Sequence, residues 1–157
     1  MKPGLVVAMG LCGLLALATT ASAWADEGPF IGRWHWNRTE STAPPGEPGP
    51  GDMVIDVSQA DPAHLRWSVS VTDPKGQRSV ETYDAPADGT FHPIPGGTTA
   101  SFRLHGSTLE AAFRGPQGQT DTMTCTVSPN RQKMTCRGSM SGPDGKAVAY
   151  QDVYDRS

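Results

Sequence analysis

An all-β domain, an antiparallel up-and-down meander curled into a barrel, is the fold class the sequence predicts, and three observations predict it. Gly and Pro are frequent, 18 and 14 among 157 residues, so turns punctuate the chain throughout. Between the turns, short runs alternate apolar and polar side chains with the two-residue period of a half-buried strand, while helical periodicity is almost absent. The connections are mostly tight, which makes sequence neighbours pair as hairpins, and closing such a meander removes the exposed edges that a flat sheet would leave. A two-sheet sandwich is the competing arrangement.

The chain opens with Lys2, an apolar run from Leu5 to Leu17 and the small-x-small pattern Ala21-Ser22-Ala23. This is the grammar of a signal peptide over residues 1–23, cleaved before Trp24, leaving a single barrel domain over 24–157. The run is about 13 residues, where a membrane-spanning helix needs roughly 20, so no stable membrane anchor is expected. Leu11 before Cys12 does not make a lipobox. The expected location is the periplasm or the secreted fraction of a bacterial envelope.

The first alternating run is Phe30 to Trp36, followed by a Pro- and Gly-rich loop from Pro44 to Gly51. Met53 to Val57 forms the next strand. Leu65, Trp67, Val69 and Val71 then alternate with Arg66, Ser68, Ser70 and Thr72, and Asp73-Pro74-Lys75-Gly76 ends that run. Arg78 to Tyr83 reads as a weaker strand, and a short extended piece ends at Pro95-Gly96-Gly97. Phe102 with Leu104, then Leu109, Ala111 and Phe113, flank the turn His105-Gly106-Ser107. Gly115-Pro116-Gln117-Gly118 leads into a further hairpin, and Ser141 to Gly145 introduces the last strand, Ala147 to Tyr154.

The hairpin before that last strand carries two cysteines. Met123, Cys125 and Val127 alternate with threonines, as Met134, Cys136 and Met140 do with Lys133, Thr135 and Arg137. Residues directly opposite in a hairpin share one index sum, and the register that puts Val127 opposite Met134 also puts Cys125 opposite Cys136. A disulfide between them is therefore predicted, in keeping with an oxidising compartment. By loop-closure entropy it is worth about 3 kcal/mol. A redox pair usually has Cys-x-x-Cys spacing, which these cysteines lack.

No catalytic residues emerge. There is no Gly-x-Ser-x-Gly elbow, and of the four histidines His35 and His105 fall on the polar faces of their strands while His64 and His92 sit near turns. Metal binding is unsupported, since neither His-x-His, Cys-x-x-Cys nor His-Glu-x-x-His occurs. The acidic residues, including Asp152 and Asp155 near the end, read as solvated faces, and no cofactor is called for. A formal charge of −3 provides no basic field for nucleic acid.

Gly32-Arg33-Trp34 with Asn37 and Ser41, Val127-Ser128 before Met134-Thr135, and Gly142-Pro143-Asp144-Gly145-Lys146 before Val153-Tyr154-Asp155-Arg156 carry a resemblance. In order and spacing, over nearly the whole of residues 24–157, the chain resembles a family of small secreted bacterial lipocalin-like proteins, most without assigned activity. The resemblance implies a lipocalin-like β-barrel in which Gly32 and Trp34 are structural, the glycine letting the strand bend and the tryptophan closing the barrel base. Two features depart from the family pattern: Asn130-Arg131 stands where members have Asp-Gly, and the cysteine pair is not general.

Inward parity selects Trp36, Ile55, Leu65, Trp67, Val69, Phe102, Leu104, Phe113 and Met134. In an eight-stranded barrel such bulky residues could fill the interior, slightly the favoured outcome, or line a small cavity. The functional expectation is a non-enzymatic exported protein binding a small apolar ligand or an envelope component near Trp36, Trp67, Phe102 and Phe113. The alternative is a protein-binding module such as a protease inhibitor, presenting the segment Trp24 to Pro29 or the Pro44 to Gly51 loop to its partner. A hydrolase is the least supported class, because no nucleophile and base are arranged in sequence.

Overall fold

Ten strands form between the turns of the computed structural model, which describes residues 28–44 and 49–157. The expected signal peptide over 1–23, its expected cleavage before Trp24, and Cys12 all fall outside the described residues. The strands are β1 (Gly32–Trp36), β2 (Asp52–Ala60), β3 (Leu65–Thr72), β4 (Arg78–Ala85), β5 (His92–Ile94), β6 (Thr98–His105), β7 (Thr108–Arg114), β8 (Thr120–Val127), β9 (Lys133–Ser141) and β10 (Ala147–Arg156). Among the described residues there is no α-helix, only a single 3-10 turn at Pro95–Gly97.

Each turn restates its sequence. Between β3 and β4 the Asp73 carboxylate accepts the amides of Lys75 and Gln77, both at 2.8 Å, and Gly76 takes φ 85°. The β8–β9 turn does the same job with Arg131 at φ 57°, a left-handed conformation that glycine adopts without strain and arginine does not. Phe30, expected to begin the first strand, instead sits in a turn just before β1 and folds inward, 2% exposed.

The sheet order is β4-β3-β2-β1-β10-β9-β8-β7-β6-β5, with every neighbouring pair antiparallel. The first strand thus lies beside the last, Trp34 opposite Arg156 and Trp36 opposite Tyr154. Ten antiparallel strands make a nearly closed barrel of lipocalin-like form. The seam falls between β4 and β5, the two strands at the ends of the order. The connecting segment turns back along β6, with Asp88 bridging Arg103 and the Gly89 amide donating to the Phe102 carbonyl at 2.8 Å.

The hairpin of β8 and β9 has the predicted register, Val127 opposite Met134 and Cys125 opposite Cys136, and the two sulfurs are bonded. This crosslink pins two strands on the far side of the barrel from the seam.

The end of the barrel where β1 begins is packed shut. Trp34 is 0% exposed and Leu65 1%, each large apolar side chain so buried contributing roughly 1.5–3 kcal/mol. The Trp34 indole N–H donates to the Phe30 carbonyl at 2.7 Å, so its one polar group is satisfied. The Arg156 guanidinium lies 4.2 Å from the Trp34 ring centroid and donates to the carbonyls of Pro29, Ile31 and Arg131 at 2.7, 2.6 and 2.5 Å. Gly32 makes room for it: a Cβ there would stand 2.5 Å from the Arg156 Nη1, and φ is 128°.

Candidate ligand-binding cavity

The barrel is hollow. An interior cavity of about 630 Å³ lies above the packed end, whereas inward parity alone slightly favours a filled core. Strand number is the physical reason: ten strands enclose a wider bore than eight, and inward side chains that would meet across eight do not meet across ten. Trp36, Trp67, Phe102 and Phe113 all line this space, together with Ile55, Val69 and Met134 of the inward set and Leu65 toward the floor. Leu104, also of that set, packs in the closed end, 8% exposed, and does not reach the cavity. Gly32 and Trp34 belong to that end as well.

Four rings pack into a continuous aromatic wall, Trp67, Phe102 and Phe113 lining the cavity and Tyr83 buried beside them. Trp67 of β3 stacks on Tyr83 of β4 with centroids 6.1 Å apart, Tyr83 meets Phe102 of β6 at 4.4 Å, and Phe102 meets Phe113 of β7 edge-on at 5.5 Å. The wall therefore crosses the seam that backbone hydrogen bonds do not close. Tyr83 is held for this by its hydroxyl, which donates to the Pro86 carbonyl at 3.0 Å.

The mouth is formed by Thr42, Ala43, Pro44, Gly49 and Pro50 between β1 and β2, and by Asp73 and Pro74 between β3 and β4. Residues 45–48 of the first connection, and residues 24–27 of the segment from Trp24 to Pro29, lie outside the described residues. Arg38 stands at 5.8 Å from the Trp36 ring centroid and donates to the carbonyls of Pro50 and Gly51 at 2.9 and 3.1 Å, tying the connection to the barrel.

Sequence reasoning missed the polar part of the cavity. Asp152, expected on a solvated face, points into the barrel and accepts the Trp36 indole N–H at 2.9 Å. Asp121 also lines the cavity, and the Tyr150 hydroxyl donates to both of its oxygens, at 2.9 and 3.0 Å. Tyr150 reaches across β9 because residue 138 is glycine: a Cβ there would stand 2.4 to 2.6 Å from the Tyr150 ring and hydroxyl. Alternation was the available signal, since Asp121 continues the face of Met123 and Cys125, and Tyr150 and Asp152 that of Tyr154. Asp155 does face outward, to Lys133 at 3.0 Å and Asn37 at 2.7 Å.

Burial sets the electrostatics of these groups. It pushes the Asp121 carboxyl above the ordinary carboxylate value, against the lowering effect of the Tyr150 hydrogen bond, and neighbouring Asp152 pushes it the same way. Asp152 is raised by burial too, against the pull of the Trp36 N–H. The Tyr150 phenol is raised by burial and by the charge of Asp121, so it stays protonated as the donor of the pair. Tyr154, 4% exposed, sets its hydroxyl against the Met53 sulfur at 3.7 Å, a weak acceptor.

The histidines stay on the outside. His35 pairs with Asp52 at 3.0 Å, His64 with Asp84, and His92 with Asp88 at 3.1 Å. None of the four lines the cavity. Among the described residues no group of three or more His, Cys, Asp or Glu side chains gathers to hold a metal.

No protein-family model matches the chain, and no curated protein matches it in sequence. Solved structures do match in shape. The fluorescent protein UnaG superposes with a TM-score of 0.51 at 17% identity, over 82% of this chain and 97% of its own. Lipid binding protein 8 of Caenorhabditis elegans gives 0.54 at 9% identity, over 82% and 96%. The fatty acid-binding protein from brain tissue of Drosophila melanogaster gives 0.50 at 13% identity, over 80% and 98%. At such identities the likeness is one of fold, and the fold of this chain is that of the lipocalin and fatty acid-binding β-barrels.

Proposed function

We propose that this chain is a non-enzymatic binding protein that holds a small apolar ligand inside its barrel, and that it works outside the cytoplasm after its leader is removed. The observation that carries the reading is the cavity itself: about 630 Å³, within the range of small-molecule sites, and lined by the rings of Trp36, Trp67, Phe102 and Phe113. Two of the proteins that share the fold are named for binding lipid and fatty acid, which supports a ligand of the same apolar kind. The disulfide between Cys125 and Cys136 supports an oxidising compartment, as does the sequence of residues 1–23.

Trp36 and Trp67 face the cavity, so tryptophan fluorescence reports its occupancy. Titration with neutral long-chain alcohols, quinones and haem-like compounds is expected to give a saturable change from at least one class, diminished in a Trp67→Phe variant. A flat response to every class overturns the reading. Mass spectrometry of protein recovered from producing cells is expected to show a chain beginning at Trp24; a retained leader would refute export.

A further inference from the structure

The cavity is apolar around most of its wall and acidic where it is polar. Its lining includes the carboxylates of Asp73, Glu81, Asp121 and Asp152 and, among the described residues, no Lys, Arg or His. Asp73 is occupied in capping its own turn. Glu81 of β4 makes no hydrogen bond or ion pair among the described residues. The half-buried pair, Asp121 and Asp152, is served by very few donors among the described residues: the Tyr150 hydroxyl and the Thr122 amide for Asp121, and the Trp36 indole for one oxygen of Asp152.

Each ionised carboxylate accepts about four hydrogen bonds when fully satisfied. Here the pair is left with acceptor capacity facing an apolar space, and among the described residues the second oxygen of Asp152 has no side-chain donor. The Tyr154 hydroxyl oxygen, buried beside them, accepts from no donor among the described residues. Two like charges also stand close enough that Asp152 disfavours ionisation of Asp121. An anionic head group would add a third negative charge to this site, with no cation to receive it. A protonated amine would supply N–H donors and the opposite charge, with Trp36 and Tyr150 faces nearby for it to lie against.

We infer that the ligand is a cationic amphiphile, a protonated amine on an apolar chain or ring body, whose ammonium sits between Asp121 and Asp152 while its body lies along the Trp67, Phe102 and Phe113 wall. This rests on the cavity-binding reading and sharpens it, since the barrels named for fatty acid are named for an anion. The Gly138 gap is part of the device, because it lets Tyr150 hold the Asp121 carboxylate in place from across β9.

The test compares three probes of equal chain length, dodecylammonium, dodecanol and dodecanoate, titrated into the full chain at pH 7 below their micelle concentrations and followed by calorimetry and tryptophan fluorescence. Dodecylammonium is expected to bind best and dodecanoate worst, the two differing at least about tenfold given one favourable and one unfavourable charge contact at partly buried carboxylates. In the Asp121→Asn, Asp152→Asn double variant the preference for dodecylammonium over dodecanol is expected to vanish, while a circular dichroism spectrum like the parent's and a melting temperature no lower show the barrel intact. Dodecanoate binding as tightly as dodecylammonium, or a double variant that keeps the amine preference, overturns the inference while leaving the cavity-binding reading in place. Failure of all three probes overturns both.

Discussion

The rings of Tyr83 and Phe102 meet at 4.4 Å across the seam where the sheet is not hydrogen-bonded. Elsewhere around the barrel, backbone ladders hold neighbouring strands; here side-chain packing carries much of that load, helped by the Gly89 amide on the Phe102 carbonyl. Phe102→Ala is expected to cost about 3–5 kcal/mol in urea unfolding, at the upper end because Trp67, Tyr83 and Phe113 all lose a partner with it. Hydrogen exchange should place the largest local loss of protection in β4 and β5. A cost below about 1 kcal/mol would mean that the backbone bridge alone holds the seam.

Arg156 closes the opposite end of the barrel through geometry as much as charge. Its three carbonyl acceptors belong to two separate segments, Pro29 with Ile31 and the β8–β9 turn at Arg131. Arg156→Lys keeps the charge but not the planar fork, and should destabilise the fold by about 2 kcal/mol. Thermal unfolding would check this; a variant melting with the parent would reduce the guanidinium to a surface charge.

Acid should act on this protein in two opposing ways. Burial raises Asp121 and Asp152 above 3.8 in the folded chain, so the folded state holds their protons more tightly than the unfolded state does. Their joint effect is a penalty at neutral pH that is relieved as pH falls through the raised values toward 3.8. Asp88 runs the other way: the Thr90 hydroxyl and amide and the His92 ring hold it down at about 2, so its contribution is complete above 3.8 and lost as pH falls through about 2. The Asp121→Asn, Asp152→Asn variant is therefore expected to exceed the parent in stability at pH 7, the difference closing as pH nears 3.8. Urea unfolding at a series of pH values reads this directly, and a difference independent of pH would contradict it.

Much of this architecture is legible from local alternation. The cysteine hairpin shows it best, because parity and one shared index sum place Cys125 opposite Cys136 with no knowledge of the rest of the chain. Trp36, Trp67, Phe102 and Phe113 come inward by the same parity. Asp121, Tyr150 and Asp152 obey it too, yet a carboxylate on a half-buried strand reads as solvent-facing until the interior is known to be hollow. Hollowness depends on strand number and on how ten strands close, which no single run encodes. The aromatic seam is equally non-local, since Tyr83 and Phe102 meet only because β4 and β6 are brought to one edge by everything between β1 and β10.

That strand order also describes the chain as a loop cut in an unexpected place. Read around the barrel from β5, the strands run β5 to β10, then β1 to β4, each next to its successor. Natural connectivity instead asks β1 to wait for β10, a contact across most of the sequence, and such long-range closure slows folding. A circular permutant that joins β10 to β1 through a short linker and opens between Ala85 and His92 would turn every ladder into a hairpin between consecutive strands. The seam would then coincide with the chain ends, and the same barrel would assemble from local steps alone.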